Sequence, residues 1–361
     1  MIPGLLIIFH LLILGNIQFT AWPEILSFPY LKNNGFDLYR DFVHAYPPLL
    51  TIILATLYKY LGYRMIVIKG FTWVLILIND VLIFKITQKL TSSKYIALLA
   101  LLFYVLTQPF LEGNMLWFDT ALTTPLLATL YTLLFPNLLV LSGYFMALAL
   151  LTKQTAILYL PIFSLLLLVS SKKIGNFARF LAAPIILCGV LALKLFSASN
   201  LEHFLNWTLI YPSKYWTKFP GYVDLDLTIK DLSTLAVLFA PTFSLLVYSK
   251  TRQKYLLITL FTIAGIVGVY PRFSYFHLQP AIAFAAIGSS LSFINLKKYK
   301  YLPIIYSLTL IFLIAIPALK QNFGKPTRFY GNEETLFTSA LKSQVSRGDT
   351  IYLLGPHSGY Y

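Results

Sequence analysis

Two aspartates and an arginine, Asp37, Arg40 and Asp41, lie together in a polar stretch shortly before the double proline at 47–48. An ionised carboxylate in such a stretch can act as a general base that takes a proton from an attacking hydroxyl group. A low dielectric near a bilayer raises a carboxyl pKa towards a useful value. If the stretch is helical, the four-residue spacing puts both carboxylates on one face. The alternative interpretation is a solvated loop in which Arg40 pairs with an aspartate.

Asp119 is a second candidate acid, because it follows Trp117 and Phe118 at the start of a hydrophobic segment. One interpretation is an N-cap, since an aspartate there accepts hydrogen bonds from the free amides of a first helical turn. The other interpretation is an acid that faces the first pair of aspartates or binds a metal ion. Glu112 lies in the same turn and is a weaker candidate.

Candidate cations lie in two later segments. Lys153 and Gln154 occupy a short turn between apolar segments, and Arg272 and His277 lie in an aromatic stretch between two others. Arginine grips phosphate with two hydrogen bonds, so these residues are candidates for binding a lipid-linked phosphate. The alternatives are a lysine that extends to water and an interfacial aromatic belt with an extended arginine.

The composition is that of a membrane protein, with 58% hydrophobic and 11% charged residues. Soluble domains have roughly 25% charged residues, and the apolar runs here approach the ~20 residues needed to cross a bilayer. The basic residues behind the net charge of +15 include four clusters in short loops that lack acids. Such loops lie on the cytoplasmic side, so the charge does not indicate a nucleic-acid partner. The clusters are Lys85, Lys89 and Lys94; Lys172, Lys173 and Arg179; Lys250, Arg252 and Lys254; and Lys297, Lys298 and Lys300.

With those loops inside, the apolar segments predict an all-α polytopic membrane protein with about eleven transmembrane helices and an external C-terminus. The first external loop, 23–63, contains an apolar stretch, 47–62, that is too short to cross comfortably and begins with prolines that suit a helix start. It is predicted to be a helix lying in the membrane interface. The predicted spans are 3–22, 64–86, 94–111, 121–135, 138–151, 155–170, 178–197, 231–249, 255–270, 276–295 and 301–319.

These boundaries divide the chain into a transmembrane domain, 1–320, and an external C-terminal segment, 321–361. Apolar spacing in that segment predicts a helix over 333–345, and 349–355 is typical of a strand followed by a turn. One helix and one strand bury little surface. Either the segment packs on the helical bundle, or it is the start of a small α/β unit in a truncated chain; we favour the second interpretation.

All acids except Asp80 fall on the external side of this topology, and Asp80 is predicted near the inner end of the second span beside Asn79. Acids and cations from distant segments thus converge on one membrane face. A transferase whose donor is a sugar on a lipid phosphate needs this arrangement, because cations hold the leaving phosphate while a carboxylate activates the acceptor. The sequence has no glycine-rich nucleotide loop, which agrees with a lipid donor. Its lack of a metal-spaced His, Cys or Asp cluster argues against a tightly bound transition metal and leaves a loosely bound divalent cation open.

Short motifs in this chain resemble the GT-C superfamily of integral-membrane glycosyltransferases. The similarity is to its protein O-mannosyltransferase-like and lipid A aminoarabinose transferase-like branch. The acidic stretch 35–42, followed by the Tyr-Pro-Pro-Leu sequence at 46–49, resembles the first loop of that branch and its interfacial helix. The stretches 117–120, 151–155 and 272–280 resemble its second acidic position, its Thr-Lys turn and its late Arg/His-aromatic-Pro segment. The resemblance covers roughly residues 1–320.

The resemblance implies an inverting, mannosyltransferase-like enzyme that uses a polyprenyl-phosphate-linked sugar. It implies a location in the cytoplasmic membrane of a prokaryote, with the active site facing outside and a glycan, lipid or protein acceptor. Asp41 matches the catalytic position best. Asp37 stays an alternative, because in the aminoarabinose transferases the acid lies further ahead of the double proline. The implied catalytic residues are Asp41, Asp37 and Asp119, and the implied substrate-binding residues are Arg40, Tyr46, Lys153, Gln154, Arg272 and His277.

A transporter or lipid flippase is the alternative function. Transporters usually keep ionisable residues near the membrane midplane and often have duplicated halves. In this chain Asp80, beside Asn79, is the single internal candidate, and the sequence has no evident duplication. A non-catalytic scaffold is a third, weaker hypothesis.

Overall fold

The computed structural model describes residues 2–171, 174–248, 253–295 and 301–346. Its first half consists of helices joined by short turns. They are α1 (Ile2–Asn16), α2 (Pro23–Asn33), α3 (Leu49–Leu61), α4 (Met65–Thr91), α5 (Lys94–Val105), α6 (Phe118–Leu133), α7 (Leu139–Thr152) and α8 (Leu160–Ser171). The shorter helical turns between them are Pro109–Gly113, Pro136–Leu138 and Gln154–Leu158.

The second half is also helical. It contains α9 (Ile174–Ser197), α10 (Leu201–Leu205), α11 (Tyr211–Lys214), α12 (Ile229–Tyr248), α13 (Gln253–Val267), α14 (Gln279–Asn295), α15 (Leu302–Leu310), α16 (Ile316–Asn322) and α17 (Asn332–Gln344). A 3-10 turn, Tyr275–Leu278, leads into α14. A π-helical turn, Ile311–Ala315, joins α15 to α16.

Five helices in the described ranges are long and apolar enough to cross a membrane. They are Met65–Thr91, Ile174–Ser197, Ile229–Leu246, Tyr275–Ile294 and Leu302–Asn322. Shorter apolar helices accompany them, among them Leu49–Leu61, which occupies the stretch that was expected to form the interfacial helix. These features agree with an all-α membrane protein, while the number of eleven crossings stays a prediction.

The helix α14 lies at the centre of the bundle. Of its most apolar window, 83% is buried, against 17% of the corresponding window in α9. Small residues permit this packing, because they let helix backbones approach closely. A Cβ added to Gly265 would lie 2.7 Å from the Ala281 backbone nitrogen, and one added to Gly288 would clash with the Thr242 side chain. These glycines therefore keep α12 and α13 against α14, whose N-terminal turn carries His277.

The predicted first span is too long. The helix α1 ends at Asn16, and residues 17–21 are not helical. Backbone partners explain this end, because Gln18 N donates to the Asn322 carbonyl over 2.8 Å and Thr20 N donates to the Asn114 carbonyl over 3.1 Å. A longer α1 would forfeit both hydrogen bonds. The predicted loop 23–46 also contains α2, which begins at Pro23, a residue suited to the first helical position.

The predicted position of Asp80 near the inner end of a span is also wrong. Asp80 lies near the middle of α4 and is fully buried, with His10 Nδ1 3.0 Å from both carboxylate oxygens. His10 Nε2 lies 3.1 Å from Gln108 Oε1, and Gln108 Nε2 donates to the Gly113 carbonyl over 2.9 Å. Ionisable groups inside membranes are normally paired in this way, because an isolated charge there is costly.

Part of the C-terminal prediction is confirmed. The helix expected over 333–345 is observed as Asn332–Gln344, and its start is fixed by the Gly331 backbone N–H, which donates to Glu334 Oε2 over 2.8 Å. The predicted strand at 349–355 lies outside the described residues. The predicted cytoplasmic lysines and arginine at 172–173, 250, 252, 297–298 and 300 lie outside them as well.

Candidate active site

Asp119, Lys153 and His277 form one buried ionic centre. The Lys153 ammonium donates to both Asp119 carboxylate oxygens over 2.7 Å, and His277 Nδ1 donates to Asp119 Oδ2 over 2.8 Å. Asp119 is 2% exposed and Lys153 is 5% exposed. An ammonium has three N–H bonds and an imidazole has two nitrogens. One Lys153 N–H and the His277 Nε2 therefore have no partner among the residues that the structure describes.

Local backbone geometry directs these side chains inward. Trp117 is extended and α6 begins at Phe118, so Asp119 lies inside the first helical turn. The N-cap interpretation of Asp119 is therefore wrong. Lys153 is also extended, with φ −149° and ψ 136°, where α7 ends. Because the Lys153 side chain is buried against Asp119, the interpretation of a lysine that extends to water is wrong as well.

Asp37, Arg40 and Asp41 form a second, exposed centre in a tight turn. Tyr39 has a φ of 75°, so the stretch is not helical and the predicted shared helical face is wrong. Arg40 Nη2 lies 2.7 Å from Asp37 Oδ2, and Arg40 Nε lies 3.1 Å from Asp41 Oδ1. The hydrogen bond from Arg40, together with that from the Asp37 backbone N–H, lowers the pKa of Asp41. The Asp41 carboxylate is therefore ionised at neutral pH. The expectation that a low dielectric raises the pKa of a carboxyl in this stretch is wrong for Asp41.

The chain that follows this turn is anchored by His44. His44 Nδ1 donates to the Tyr46 carbonyl over 2.7 Å, and Thr51 Oγ1 donates to His44 Nε2 over 2.8 Å. Burial lowers the pKa of His44 to about 4, so the ring is neutral at pH 7, as these two bonds require. The Tyr39 hydroxyl donates to the same Tyr46 carbonyl over 2.9 Å. The first loop thus enters α3 in one fixed conformation.

Tyr46 and Gln154 connect the exposed turn with the buried centre. The Tyr46 ring stacks on Phe118, the neighbour of Asp119, with 3.8 Å between ring centroids. Gln154, the neighbour of Lys153, donates from Nε2 to the Ala45 carbonyl over 3.0 Å. The first loop therefore packs directly against the segments that carry Asp119 and Lys153.

Arg272 is exposed and does not contact the buried centre directly. Its segment pairs with the loop before α12, because Phe273 N donates to the Asp224 carbonyl over 2.7 Å. Burial raises the pKa of Tyr222, and the nearby charge of Arg272 opposes that rise. Burial likewise raises the pKa of Tyr46, and electrostatic coupling to Asp119 and Tyr222 adds to it. Tyr222 is therefore close enough to both Arg272 and Tyr46 for their charges to interact.

An apolar cavity of about 730 Å³ lies beside the segment that carries Arg272 and His277. Phe273 and Leu278 of that segment contribute to its wall, and the rest comes from α12, α13 and the loop that precedes α12. Its lining side chains are apolar or aromatic: Leu225, Leu227, Leu235, Ala236, Phe239, Ala240, Phe243, Ile266, Val267, Val269, Tyr270, Phe273 and Leu278. A hydrocarbon chain suits such a cavity, because its burial there removes apolar surface from water.

Glu112 has a more defined place than its sequence suggests. The Phe276 backbone N–H donates to Glu112 Oε2 over 3.3 Å, so the turn that presents His277 to Asp119 also contacts this second acid. Burial raises the pKa of Glu112, and the nearby charges of Arg328 and His277 oppose the rise. Within the described part of the chain, no three His, Cys, Asp or Glu side chains are grouped as a metal site would require.

No protein-family model matches this chain, and no curated protein matches its sequence. Solved structures do match its fold. ArnT from Cupriavidus metallidurans in the apo state is 15% identical with a TM-score of 0.58, over 80% of this chain and 59% of that one. The same protein bound to undecaprenyl phosphate is 13% identical with a TM-score of 0.57, over 81% and 59%.

The Archaeoglobus fulgidus oligosaccharyltransferase in the apo form is also similar. It is 12% identical with a TM-score of 0.58, over 96% of this chain and 58% of that one. This chain therefore spans less than two thirds of the length of either structure. ArnT, an aminoarabinose transferase, and the oligosaccharyltransferase are both GT-C glycosyltransferases. The motif resemblance is thus confirmed at the level of architecture: this chain has the GT-C fold.

Proposed function

We propose that this chain is a membrane glycosyltransferase that moves a sugar from a polyprenyl phosphate to a hydroxyl group of an acceptor. The observation that carries the proposal is the Asp119–Lys153–His277 centre, in which a buried carboxylate holds two phosphate-binding groups beside the acidic first loop. The GT-C fold supports it, and so does the undecaprenyl phosphate bound to ArnT.

The geometry supports a division of roles among the charged groups. Asp119 uses both oxygens to hold Lys153 and His277, so it serves as a positioning residue. The remaining Lys153 N–H, the exposed Arg272 guanidinium and, when His277 carries both ring protons, its Nε2–H would bind the donor phosphate. Arg40 orients Asp41, which is ionised and exposed enough to meet an acceptor.

The proposed reaction is a single displacement. Asp41 accepts the proton of the acceptor hydroxyl while the hydroxyl oxygen attacks the anomeric carbon. The bond from that carbon to the phosphate oxygen breaks, and its electron pair leaves with the polyprenyl phosphate. The cations offset the charge that develops on the phosphate. Attack opposite the leaving group inverts the anomeric centre. Asp37, on the other side of Arg40, is the alternative base.

The apolar cavity beside Phe273 and Leu278 is the proposed place for the polyprenyl chain. Arg272 precedes Phe273 and His277 precedes Leu278, so each wall residue adjoins a candidate phosphate ligand. A lipid whose chain occupies this cavity would therefore present its phosphate to these two residues. We place the site on the external face of a prokaryotic cytoplasmic membrane, because the basic loops lie on the opposite side in the predicted topology.

Steady-state transfer from a panel of polyprenyl-phosphate sugars by purified protein tests this proposal. We expect labelled product from at least one donor, and we expect Arg272→Gln to raise the donor KM by about tenfold or more, since a charged hydrogen bond to phosphate is lost. Arg64→Gln is the matched control, because Arg64 is exposed and lies outside the proposed site. Equal KM values for both variants would contradict the assigned role of Arg272, and absence of product from every donor would contradict the enzyme.

A transporter or lipid flippase is the second candidate, and the buried His10–Asp80 pair favours it, since transporters keep ionisable groups near the midplane. Vesicles that contain the protein separate the two functions. Movement of a labelled solute or lipid across the membrane, with no glycosylated product, would favour transport.

A further inference from the structure

A second cavity, of about 290 Å³, adjoins the turn Tyr275–Leu278. Tyr275 and Glu112 line it, whereas His277, two residues after Tyr275, contacts Asp119. The lining is rich in polar side chains: Gln18, Thr20, Glu112, Asn114, Lys230, Thr234, Tyr275, Gln321, Asn322 and Arg328. The other ten lining residues are apolar, so this cavity offers both polar and apolar surface, whereas the first cavity offers apolar surface.

The walls of this cavity are fixed by backbone pairing between distant segments. The extended segment 17–21 lies between two partners: Thr20 N donates to the Asn114 carbonyl over 3.1 Å, and Arg328 N donates to the Phe19 carbonyl over 2.8 Å. The Asn114 amide also donates to the Leu14 and Ile17 carbonyls over 3.0 and 3.1 Å. A cavity with such walls is preformed, as ligand sites usually are.

Glu112 is held towards the cavity by an unusual backbone conformation. Its φ is 53°, a value that residues other than glycine seldom adopt. Two buried amides support the turn: Gln108 Nε2 donates to the Gly113 carbonyl over 2.9 Å, and Gln279 Nε2 donates to the Leu111 carbonyl over 2.8 Å. Strained backbone of this kind persists where the surrounding structure determines it, and it is frequent at functional sites.

The mixture of groups narrows the class of ligand. A carboxylate accepts hydrogen bonds, two cations donate them, and side-chain amides and hydroxyls do both. Sugar hydroxyls also donate and accept, so a sugar ring is complementary to such a lining. A hydrocarbon chain would offer no hydrogen-bonding partner to the charged groups of Glu112, Lys230 and Arg328, and a phosphate would meet the Glu112 charge. Trp22 adds an aromatic surface on which a ring can pack.

We propose that this cavity binds a sugar ring, with Glu112 and Arg328 as its charged hydrogen-bonding partners. The inference rests on the proposed function for the origin of the sugar, which is either the donor or a glycan acceptor. The helix α12 passes from Lys230 and Thr234 in this cavity to Leu235 and Phe239 in the apolar one. The two cavities are therefore neighbours along one helix, so a sugar here lies close to a lipid there.

Binding of free monosaccharides to the full chain in detergent, followed by ligand-observed NMR, tests the site without any transfer step. The probes are glucose, mannose, N-acetylglucosamine and arabinose. We expect saturable binding of at least one sugar and a loss of affinity of about tenfold or more in Glu112→Gln, since a charged hydrogen bond becomes neutral. Glu202→Gln, at an exposed position on α10, should bind as the wild type does.

Arg328→Gln provides an independent variant, because Arg328 is exposed and its loss leaves the strained turn in place. The Arg328→Gln variant should bind the same sugar with lower affinity, while its melting temperature should match that of the wild type. Absence of saturable binding to folded protein, or wild-type affinity in both cavity variants, would overturn the proposal.

Transfer kinetics identify the source of the sugar. An increased donor KM in Glu112→Gln assigns the cavity to the donor sugar, and an increased acceptor KM assigns it to a glycan acceptor. Unchanged values for both would contradict the proposal. A further outcome is saturable sugar binding that depends on Glu112 in a protein that transfers no sugar. This result would support the sugar site and would contradict the proposed function alone.

Discussion

The two charged centres are built from similar groups but differ in their exposure to water. In the first loop, the Asp41 side chain is 30% exposed and that of Arg40 is 50% exposed. In the bundle, the Asp119 side chain is 2% exposed and that of Lys153 is 6% exposed. Exposed ion pairs contribute little to stability, whereas removal of one partner of a buried pair leaves an uncompensated charge.

This difference suggests that one set of residues positions the charged groups and another set transfers the proton. A general base must exchange its proton with a substrate, which the exposed, ionised Asp41 is able to do. Asp119 accepts hydrogen bonds from the Lys153 ammonium and the His277 ring and lies among aromatic residues, so its contribution is to hold these two side chains. Tyr46 and Gln154 pack the end of the first loop against the segments that carry Asp119 and Lys153, and we propose that the two centres act as one site.

The largest effect on folding is expected at the buried centre. Asp119→Ala leaves Lys153 without its partner in a buried position, which should lower the free energy of unfolding by about 3–5 kcal/mol. Chemical unfolding in detergent measures this loss. The double variant Asp119→Leu with Lys153→Met should recover much of it, because both charges are then removed. A loss below about 1 kcal/mol in Asp119→Ala would show that the centre is accessible to water.

The opposite pattern is expected in the first loop. Asp41→Asn should leave the melting temperature unchanged, because the carboxylate is exposed, and should reduce sugar transfer by roughly 10²- to 10⁴-fold, since the base is lost. Asp226→Asn, at an exposed position before α12, is the control and should retain full activity. An active Asp41→Asn with an inactive Asp37→Asn would move the base to Asp37, and full activity in both would remove this mechanism.

A smaller effect is expected where the two centres meet. Gln154→Leu removes the hydrogen bond to the Ala45 carbonyl and should lower the free energy of unfolding by about 1 kcal/mol. It should also lower the transfer rate, because the first loop is then less firmly held against Lys153. Gln344→Leu on the exposed face of α17 is the control for loss of an amide. Unchanged transfer in Gln154→Leu would indicate that the two centres work independently.

The weakest expected effect is a pH dependence at Glu112, a third carboxylate, which belongs to an exposed residue in the wall of the polar cavity. Because burial raises its pKa, the carboxylate is lost at a higher pH than in an ordinary glutamate as the solution is acidified. Sugar affinity should therefore fall as pH falls through this raised value. Arg328, Lys230, Tyr275 and His277 also face the group, and only histidine among these types titrates in that range. Glu112→Gln should remove the Glu112 part of the dependence, and an identical pH profile in both proteins would contradict this role.

Much of the fold follows from local patterns in the sequence. Apolar runs predict most helices to within a few residues, and the double proline at 47–48 indicates the start of α3. The end of α1 at Asn16 was not predictable in this way, because it depends on hydrogen bonds to Asn114 and Asn322, about 100 and 300 residues away. An apolar run alone cannot show that its last turn is extended.

The candidate site could be predicted only in part from the sequence. Each of Asp119, Lys153 and His277 could be identified as a candidate from its residue type and its place in the sequence. Their direct contact could not be predicted, because it depends on how α6, α7 and the turn before α14 pack. The His10–Asp80 pair was missed, although the cost of an unpaired charge in a membrane gives a reason to search for a partner of Asp80. Tyr222 has no sequence signal, since its place depends on the contact between its loop and the first loop.

The most direct test of the central claim is the anomeric configuration of a product formed by the full chain from a polyprenyl-phosphate sugar of known configuration. NMR of the purified product determines it. Single displacement by an acceptor that Asp41 deprotonates predicts complete inversion, with product formation lost in Asp41→Asn. Retention of configuration, or undiminished product from Asp41→Asn and Asp37→Asn, would contradict the account.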